Sequence, residues 1–393
     1  MAVPYWRLSA FYACYFAALG VLLPYWSLFL KHAGFDARRI GELTALLVAT
    51  RVVAPYIWGW LADHGGKRLL LVRVTSLLAA AAFSGFLWLA ADFWCYAALT
   101  AAFSFFWNAC LPQFEAATLF HLRDVPHRYG KVRLWGSMGF IAAVYGVGLA
   151  LDAISVAYVP HIILGLMALS WLCALVTPDA PARLKAQGEE LGLGRVLANK
   201  EVWAFFGVYF LLQIVHGPYY VFFSVYLQQH HYSSQMTGGL WALGVGAEVL
   251  LFMVANRLTR RFSLRSLLLW SLLLTGARWW LVAVYVDQIL CLIGAQLLHA
   301  ASFGVTHLVA VQFLMRYFGE RHQGKGQAFY SSLSYGVGGM CGSLYSGYAW
   351  ERFGAGEVFL IAAGVSLLAW LLAWVGVGKR RDRRVEGIEI HDA

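Results

Sequence analysis

Five ionisable side chains lie inside stretches that otherwise read as membrane-spanning helix: Arg51, Glu115, Arg133, Glu248 and Arg278. On insertion scales a charge at the bilayer centre costs about 2.5 to 3.5 kcal/mol, so such side chains must be paired or must face a polar cavity. Ion pairs that only hold helices together would also satisfy this requirement. The pattern favours a chain that moves a solute across the membrane over one that merely anchors there.

The elements that position these charges are long apolar helices. Of the 393 residues, 61% are hydrophobic and 13% are charged, a composition that a soluble protein could not cover with polar surface. Apolar runs of about 20 residues, long enough to cross a hydrocarbon core of about 30 Å, recur along the chain. About twelve spans are predicted by this length rule: 8–30, 40–61, 69–90, 94–120, 129–151, 156–176, 202–227, 238–258, 267–286, 289–313, 326–348 and 358–377.

The longest polar stretch between spans divides the chain into two halves of six spans each. The predicted organisation is an N-terminal six-helix bundle at 1–176, a central cytoplasmic loop at 177–201, a C-terminal six-helix bundle at 202–378 and a basic cytoplasmic tail at 379–393.

Basic residues are concentrated on one side of this topology. Lys and Arg number 30 against 20 Asp and Glu, an excess that in a soluble chain would suggest nucleic acid. Here the excess lies in alternate loops and in the tail, so the positive-inside bias places both termini in the cytoplasm and the chain in the inner membrane. We expect the lipid bilayer and a small molecule as partners, no nucleic acid, and a monomer.

Helix geometry predicts which of the five charges can meet. Glu115 and Arg133 are equally far along the chain from Asp124, which lies at the turn between two antiparallel spans. With a rise of about 1.5 Å per residue, both side chains fall at a similar depth and can pair. Glu248 and Arg278 are related in the same way but lie further from their turn, so we expect them nearer the middle of the membrane.

Arg51 has no partner of this kind, because reflecting it through the nearest turn leads to Ala79. An internal repeat suggests one. Gly41 aligns with Gly238 and Arg51 aligns with Glu248 at an offset close to half the chain, which is typical of a duplicated transporter fold. Related positions in two repeats face the same axis, so we expect Arg51 to pair with Glu248, which then has two candidate arginines.

The buried charges do not balance. With histidines neutral, three arginines face two glutamates, which leaves one surplus cation. A substrate carboxylate would balance it, and arginine suits this task because its planar fork can bind a carboxylate through two hydrogen bonds. The candidate substrate-binding residues are Glu115, Arg133, Arg278, Arg51 and Asn108, although Asn108 could equally hold two helices together.

Proton coupling needs a group that binds a proton in one state and releases it in another. Removal from water disfavours the charged form of a carboxylate, which makes Glu115 and Glu248 candidates; a permanent structural ion pair is the alternative for each. His299 and His307 lie about two helical turns apart on one helix face, with Phe303 between them. Packing explains each histidine as well as proton transfer does.

A motif between the second and third spans suggests a latch. It reads Gly59-x-x-x-Asp63-x-x-Gly66-Lys67-Arg68, with a carboxylate and two cations around a turn that glycine makes tight. Gly59 would let helices approach closely, and Asp63 would cap a helix or pair with a base when the inner side closes. A basic loop that only sets the topology is the alternative.

This motif resembles that of the major facilitator superfamily, which carries the same pattern in the same loop. The resemblance implies an all-α membrane protein with twelve transmembrane helices in two pseudo-symmetric six-helix bundles. It also implies a secondary active transporter that works by alternating access and draws on the proton gradient, with no cofactor and no metal.

Four further stretches, 129–137, 246–249, 277–279 and 298–304, together with His307, resemble those of the phenylpropionate permease group, which is related to proton symporters of the lactose permease type. That resemblance implies that Glu115 and Arg133 bind substrate, and that Arg278 and His299 match a third arginine and a histidine of the symporter. Ser302 stands where the symporter has a carboxylate, so its coupling scheme does not transfer unchanged. The implied activity is proton-coupled import of an aromatic acid, with a neutral sugar or nucleoside as the alternative substrate.

Other function classes have less support. The sequence has no HExxH, P-loop or GxSxG pattern on a plausible element, so an enzyme is not expected. The six cysteines lie within spans and show no metal-ligand spacing. A membrane-embedded enzyme or a sensor is the remote alternative.

Overall fold

Long helices form nearly all the secondary structure of the computed structural model, which describes residues 3–65, 67–179 and 193–378. The predicted tail and most of the predicted central loop lie outside these ranges. The helices are α1 Tyr5–His32, α2 Ala37–Gly65, α3 Arg68–Trp88, α4 Phe93–His121, α5 Tyr129–Leu151, α6 Val159–Val176, α7 Leu193–Leu197, α8 Lys200–Gln229, α9 Ser234–Arg261, α10 Leu264–Val284, α11 Ile289–Leu297, α12 Thr306–Tyr330, α13 Gly339–Phe353 and α14 Ala355–Gly376.

Two spans contain a wider helical turn of the π type. The first π turn, Ala300–Val305, joins α11 to α12, and the second, Ser331–Gly338, joins α12 to α13. Such turns break the regular spacing of side chains along a helix. They therefore shift the direction in which the residues around them point.

Eleven helices among the described residues are long and apolar enough to cross a membrane. The remaining predicted span, 326–348, is also helical but consists of the end of α12, the second π turn and α13. Its serines and glycines make it less apolar than the others. α12 bends at Gly319, whose φ of 61° lies in the left-handed region that glycine adopts without strain, so the chain turns there from the tenth span into the eleventh.

Each half repeats one packing scheme. In the first half α1 packs against α5 and α6, α3 against α4 and α6, and α2 against α4. The second half has the corresponding neighbours, since α8 packs against α13 and α14, α10 against α11 and α14, and α9 against α11. α1 and α8 are the most enclosed spans, with 72% and 78% of their apolar windows buried, so these two helices lie furthest from lipid.

The halves pack most extensively along two helix pairs, α2 with α13 and α5 with α9, and α1 also contacts α8. Glycines permit the close approach. A Cβ atom on Gly41 would lie 2.8 Å from Cα of Gly347, and one on Gly238 would lie 2.4 Å from the carbonyl oxygen of Val144. Because no side-chain carbon fits at such distances, these glycines let the backbones of the two halves touch.

Hydrogen bonds join the halves where α1 ends, which we name the closed end. Asp152, after α5, accepts hydrogen bonds from the backbone N–H groups of Ser234 (2.7 Å) and Gln235 (3.2 Å) at the start of α9. In the matching place Glu351 of α13 accepts one from the backbone of Arg38 at the start of α2 (3.1 Å). Each half thus supplies a carboxylate that caps a helix N-terminus of the other half.

Candidate functional site

Glu115 and Arg133 form an ion pair on neighbouring antiparallel helices. Nε of Arg133, in the second turn of α5, lies 3.4 Å from Oε1 of Glu115 near the end of α4. The hydroxyl of Tyr129, one helical turn before Arg133, donates a hydrogen bond of 2.8 Å to the same carboxylate oxygen. Both side chains of the pair are 33% exposed. The structure therefore brings together the two residues whose equal depth predicted contact, and leaves them accessible.

Aromatic rings of α1 cover the arginine of this pair. The guanidinium carbon of Arg133 lies 4.1 Å from the ring centre of Phe16 and 5.3 Å from that of Tyr12, distances typical of cation–π contacts. A Cβ atom on Gly136 would come within 2.8 Å of the Phe16 ring, so a glycine is needed here. The result is a polar pair beside apolar ring surface.

A second polar cluster holds Arg51 in the middle of α2. Nε of Arg51 donates a hydrogen bond to Oδ1 of Asn108 on α4 (3.3 Å). The amide nitrogen of Asn108 donates in turn to Oγ1 of Thr50 (2.8 Å) and to the carbonyl oxygen of Leu47 (3.4 Å). Asn108 therefore orients Arg51 and also holds α4 against α2. The sequence had left open whether Asn108 belongs to the substrate site or holds two helices together.

The predicted ion pair between Arg51 and Glu248 is wrong for this structure. Helix packing gives the reason, because α2 packs against α4 and α13 whereas α9 packs against α5 and α11. A side chain at the centre of α2 therefore meets Asn108 of α4. Equivalent positions in the two repeats do lie in equivalent helices, but these helices contact different neighbours.

Glu248 pairs with a histidine instead. Its Oε2 atom lies 3.6 Å from Nε2 of His299, which directly precedes the first π turn. Gly304 in that turn makes the contact possible, since a Cβ atom there would lie 2.6 Å from Cδ2 of Leu251 and 3.4 Å from Cγ of Glu248. The carboxylate and the imidazole are both largely enclosed, with side-chain exposures of 19% and 6%.

Three rings form a parallel stack along the tenth span. The ring centres of His299 and Phe303 are 5.5 Å apart with an interplanar angle of 8°, and those of Phe303 and His307 are 6.3 Å apart at 7°. The hydroxyl of Tyr335, in the second π turn, lies 3.4 Å from Nδ1 of His307. The sequence prediction that the two histidines share one face with Phe303 between them agrees with this geometry.

Arg278 is sealed inside the second half, with an exposure of 0%. Its two terminal amino groups donate to Oγ of Ser302 (2.9 Å) and to Oε1 of Gln296 (3.5 Å). The guanidinium carbon also lies 4.4 Å from the ring centre of Tyr219 and 4.3 Å from that of Trp279. These contacts hold a buried cation by hydrogen bonds and ring faces alone.

The predicted pairing of Glu248 with Arg278 is therefore also wrong, so neither of the two candidate arginines pairs with Glu248. Glu248 and Arg278 lie on spans that are consecutive in the sequence. The tenth span packs against both of these helices and separates the two side chains. The first π turn presents His299 to Glu248 on one side and Ser302 to Arg278 on the other. Ser302 thus contacts the arginine with a hydroxyl group.

The polar clusters of the two halves lie on elements that pack against each other, since α5 contacts α9 and α2 contacts the second π turn. Within the described residues no group of three or more His, Cys, Asp or Glu side chains could hold a metal ion.

The latch motif is only partly described. The side chain of Asp63 and the whole of Gly66 lie outside the described residues. Lys67 is exposed, and a terminal nitrogen of Arg68 donates to Oε1 of Gln113 (3.1 Å). At Gly59 the expected close approach of helices is absent, since a Cβ atom there would meet only the Gln113 amide at 3.8 Å. The carboxylate caps that join the halves lie at the closed end, away from this loop.

Sequence reasoning missed the aromatic partners of Arg133 and Arg278. A signal for some of them was present. Tyr12 and Phe16 are four residues apart and share one helix face, and Tyr129 precedes Arg133 by the same interval. The contact of Tyr219 with Arg278 joins α8 to α10, and no spacing within the sequence predicts such a contact.

Comparison with known proteins is consistent over the whole chain. The sequence model of the MFS_1 like family matches residues 5–361. The chain is 32% identical over 371 residues to the probable 3-phenylpropionic acid transporter of Escherichia coli (strain K12), covering 92% of this chain and 95% of that protein. It is 30% identical over 372 residues to the maltose permease of Geobacillus stearothermophilus, covering 92% of each.

Solved structures show the same architecture. The crystal structure of the nucleoside transporter NupG superposes with a TM-score of 0.82 over 95% of this chain and 98% of that chain, at 18% identity. The POT family transporter PepTSo superposes with a TM-score of 0.76 over 94% and 96%, at 12% identity. At these identities the likeness concerns the fold alone.

Proposed function

The chain belongs to the MFS_1 like family of membrane transporters, and we propose that it imports a small organic acid, specifically an aromatic carboxylic acid, together with a proton by alternating access. The transporter class and the all-helical major facilitator fold predicted from the sequence are confirmed, as is the prediction that the protein is not an enzyme. Substrate and coupling are the proposal.

The observation that carries the proposal is the imbalance of charge among the ionisable side chains inside the spans. Glu115 neutralises Arg133, and Glu248 contacts the imidazole of His299. Arg51 and Arg278 have no carboxylate partner among the described residues. The three arginines and two glutamates leave a surplus of one positive charge, which an anionic substrate would neutralise where water is scarce.

The ring surface beside the polar pair supports an aromatic body for this acid. Phe16 and Tyr12 already cover Arg133, and a bound ring can stack on such faces while its acidic group reaches a cation. A relative of 32% identity is named for 3-phenylpropionic acid. Geometry and relationship favour the same class of substrate.

Glu248 is our candidate for carrying the proton, with His299 and His307 as its partners. The carboxylate is largely enclosed and lies beside an imidazole that can give or take a proton. Glu115 is the second candidate, because it also sits beside a possible substrate site.

Orientation in the membrane follows from the basic loops. The positive-inside bias puts both termini in the cytoplasm, so the closed end, where α1 ends, faces outward, and Glu115 and Arg133, each 33% exposed, lie towards the cytoplasmic side. We propose the inner membrane as the location and a monomer as the working unit. On this basis the structure corresponds to the state that releases an imported substrate.

A neutral sugar or nucleoside is the second candidate substrate. A relative of 30% identity is named maltose permease, and the same polar pair could bind hydroxyl groups. The surplus cation speaks against this candidate, because a neutral substrate would leave it uncompensated.

Uptake by proteoliposomes tests the proposal. Labelled 3-phenylpropionate is supplied outside with the interior alkaline, and maltose or uridine is added as competitor. The acid also crosses lipid in its neutral form, so the signal is the difference between vesicles with the wild-type protein and vesicles with the Arg133→Ala variant. We expect protein-dependent accumulation that neither competitor reduces. Protein-dependent uptake of maltose or uridine without any of the acid would overturn the proposal.

A further inference from the structure

Arg51 is the intramembrane arginine whose surroundings leave it both oriented and available. It is the fifteenth of the 29 residues of α2 and is half-buried, at the middle of a span. Its Nε atom is held by Asn108 (3.3 Å), whose own amide nitrogen is held by Thr50 (2.8 Å). This chain of contacts fixes the plane of the guanidinium group from behind.

The two terminal amino groups of Arg51 are not engaged. Within the parts of the chain that the structure describes, neither donates a hydrogen bond and no carboxylate lies within ion-pair distance of the side chain. A guanidinium with Nε occupied still presents its two terminal nitrogens as a fork, which is the geometry that matches a carboxylate. The cation is therefore preset for an anion that the protein itself does not provide.

The other two arginines lack this combination. Arg133 is already paired with Glu115 at 3.4 Å and covered by the ring of Phe16. Arg278 is 0% exposed and donates to Ser302 and Gln296. A soluble anion can reach Arg133 only in competition with Glu115, and in this conformation it cannot reach Arg278.

Arg51 also lies next to a contact between the two halves. Val52, the next residue of α2, packs tightly against the second π turn. A Cβ atom on Gly336 of that turn would lie 2.6 Å from Cγ2 of Val52. An anion bound at Arg51 would therefore lie close to a contact between the two halves.

We propose that Arg51 is the anchor for the substrate carboxylate and that the carrier selects acids with a single carboxylate. This inference rests on the proposed function and assigns its anionic group to one residue. Asn108 is the positioning residue for Arg51. A second carboxylate finds no further accessible and unpaired cation in the cluster, so a diacid would have to give up water around one charge without compensation.

Binding to purified protein with matched ligands tests the assignment. The pair is 3-phenylpropionate and its neutral amide, which have nearly the same shape, and phenylsuccinate is the diacid. Affinities are measured by isothermal titration calorimetry for the wild type, Arg51→Gln, Arg51→Lys and Asn108→Ala. The control is Arg39→Gln, which removes a positive charge from the exposed start of the same helix.

We expect Arg51→Gln to bind the acid about tenfold or more weakly than the wild type, the size of a lost charged hydrogen-bond pair, and to bind the amide unchanged. Arg51→Lys and Asn108→Ala should fall between, again only for the acid, and Arg39→Gln should match the wild type. The wild type should bind phenylsuccinate more weakly than 3-phenylpropionate. If Arg51→Gln fails to fold, Arg51→Lys and Asn108→Ala decide the question through their ratio of affinity for the acid to affinity for the amide.

Two different results separate failure of this assignment from failure of the proposed function. If the wild type prefers the acid over the amide and the Arg51 variants keep that preference, the anchor lies elsewhere and the acid transporter stands. Equal loss of acid and amide in those variants likewise overturns the anchor. If the wild type does not prefer the acid at all, the proposed function itself fails.

Discussion

The carboxylate of Glu248 lies 3.6 Å from Nε2 of His299, so the eighth span is joined to the tenth by a pair that can share a proton. His299 begins a stack of parallel rings that ends at His307, and His307 contacts Tyr335 in the eleventh span. A row of side chains that includes Glu248, His299 and His307 thus crosses the second half. Four predictions follow from this arrangement and from the contacts around it.

Replacement of Glu248 should separate transport from the proton gradient. The glutamine in Glu248→Gln keeps the shape and can still contact His299, but it cannot bind and release a proton. We expect exchange of labelled for unlabelled acid across the membrane at equal pH to continue, and accumulation driven by a pH gradient to disappear. Both are measured in proteoliposomes.

Glu357→Gln is the matched control, because Glu357 is an exposed carboxylate at the start of α14. It should leave both activities unchanged. Gradient-driven accumulation by Glu248→Gln at the wild-type level would show that this carboxylate does not carry the coupled proton.

Removal of Arg133 should abolish transport without removing the protein from the membrane. Arg133→Ala leaves Glu115 unpaired beside a substrate site and withdraws the cation that Phe16 and Tyr12 cover. We expect uptake to fall more than tenfold, the scale of a lost charged interaction, at equal protein level on an immunoblot of membranes. Uptake by Arg133→Ala near the wild-type rate would show that Arg133 is not part of the substrate site.

Gly304 should be required for the contact between Glu248 and His299. In Gly304→Val the added carbons would collide with Leu251 and press on Glu248, since a Cβ atom already falls 2.6 Å and 3.4 Å from them. We expect accumulation to drop several-fold. Gly294→Val on the same span is the control, because a Cβ atom there meets nothing within 4 Å; equal effects of the two variants would contradict the prediction.

The carboxylate caps at the closed end should favour the inward-open state. Asp152→Asn combined with Glu351→Gln weakens the bonds to the helix N-termini of the opposite half. A cysteine placed at the buried Ala45 of α2, in a background without native cysteines, reports opening by its reaction with an impermeant maleimide added to cells. We expect several-fold faster labelling in the double variant.

Asp287→Asn provides the control for this experiment. Asp287 is also a carboxylate at the closed end, but it contacts His230 within the same half (2.6 Å), so its replacement should not change the labelling rate. Unchanged labelling in the double variant would mean that these caps do not hold the halves together.

The predictable part of the site is the part that local geometry determines. Glu115 and Arg133 lie on helices joined by one short turn, so their distances from that turn fixed their depth and predicted their contact. The ring stack from His299 to His307 likewise follows from spacing along one span. In both cases the relevant residues are close in sequence and few arrangements are possible.

The partners of Glu248 and Arg51 could not be predicted in the same way. Glu248 contacts His299 because the first π turn changes the direction of the side chains after Leu297. No sequence pattern predicted this π turn. Arg51 met Asn108 because α2 packs against α4, and the internal repeat specifies equivalent places without specifying neighbours. Contacts between spans that are distant in sequence depend on this packing.

Proton movement driven by substrate tests the central claim most directly. Vesicles containing an entrapped pH-sensitive dye are held at equal pH on both sides, and 3-phenylpropionate is added outside. We predict that the interior acidifies faster with the wild-type protein than with Arg133→Ala, which reports the passive leak of the acid, and that maltose causes no change. Superimposable traces for the two proteins, or acidification driven by maltose and not by the acid, would contradict the account.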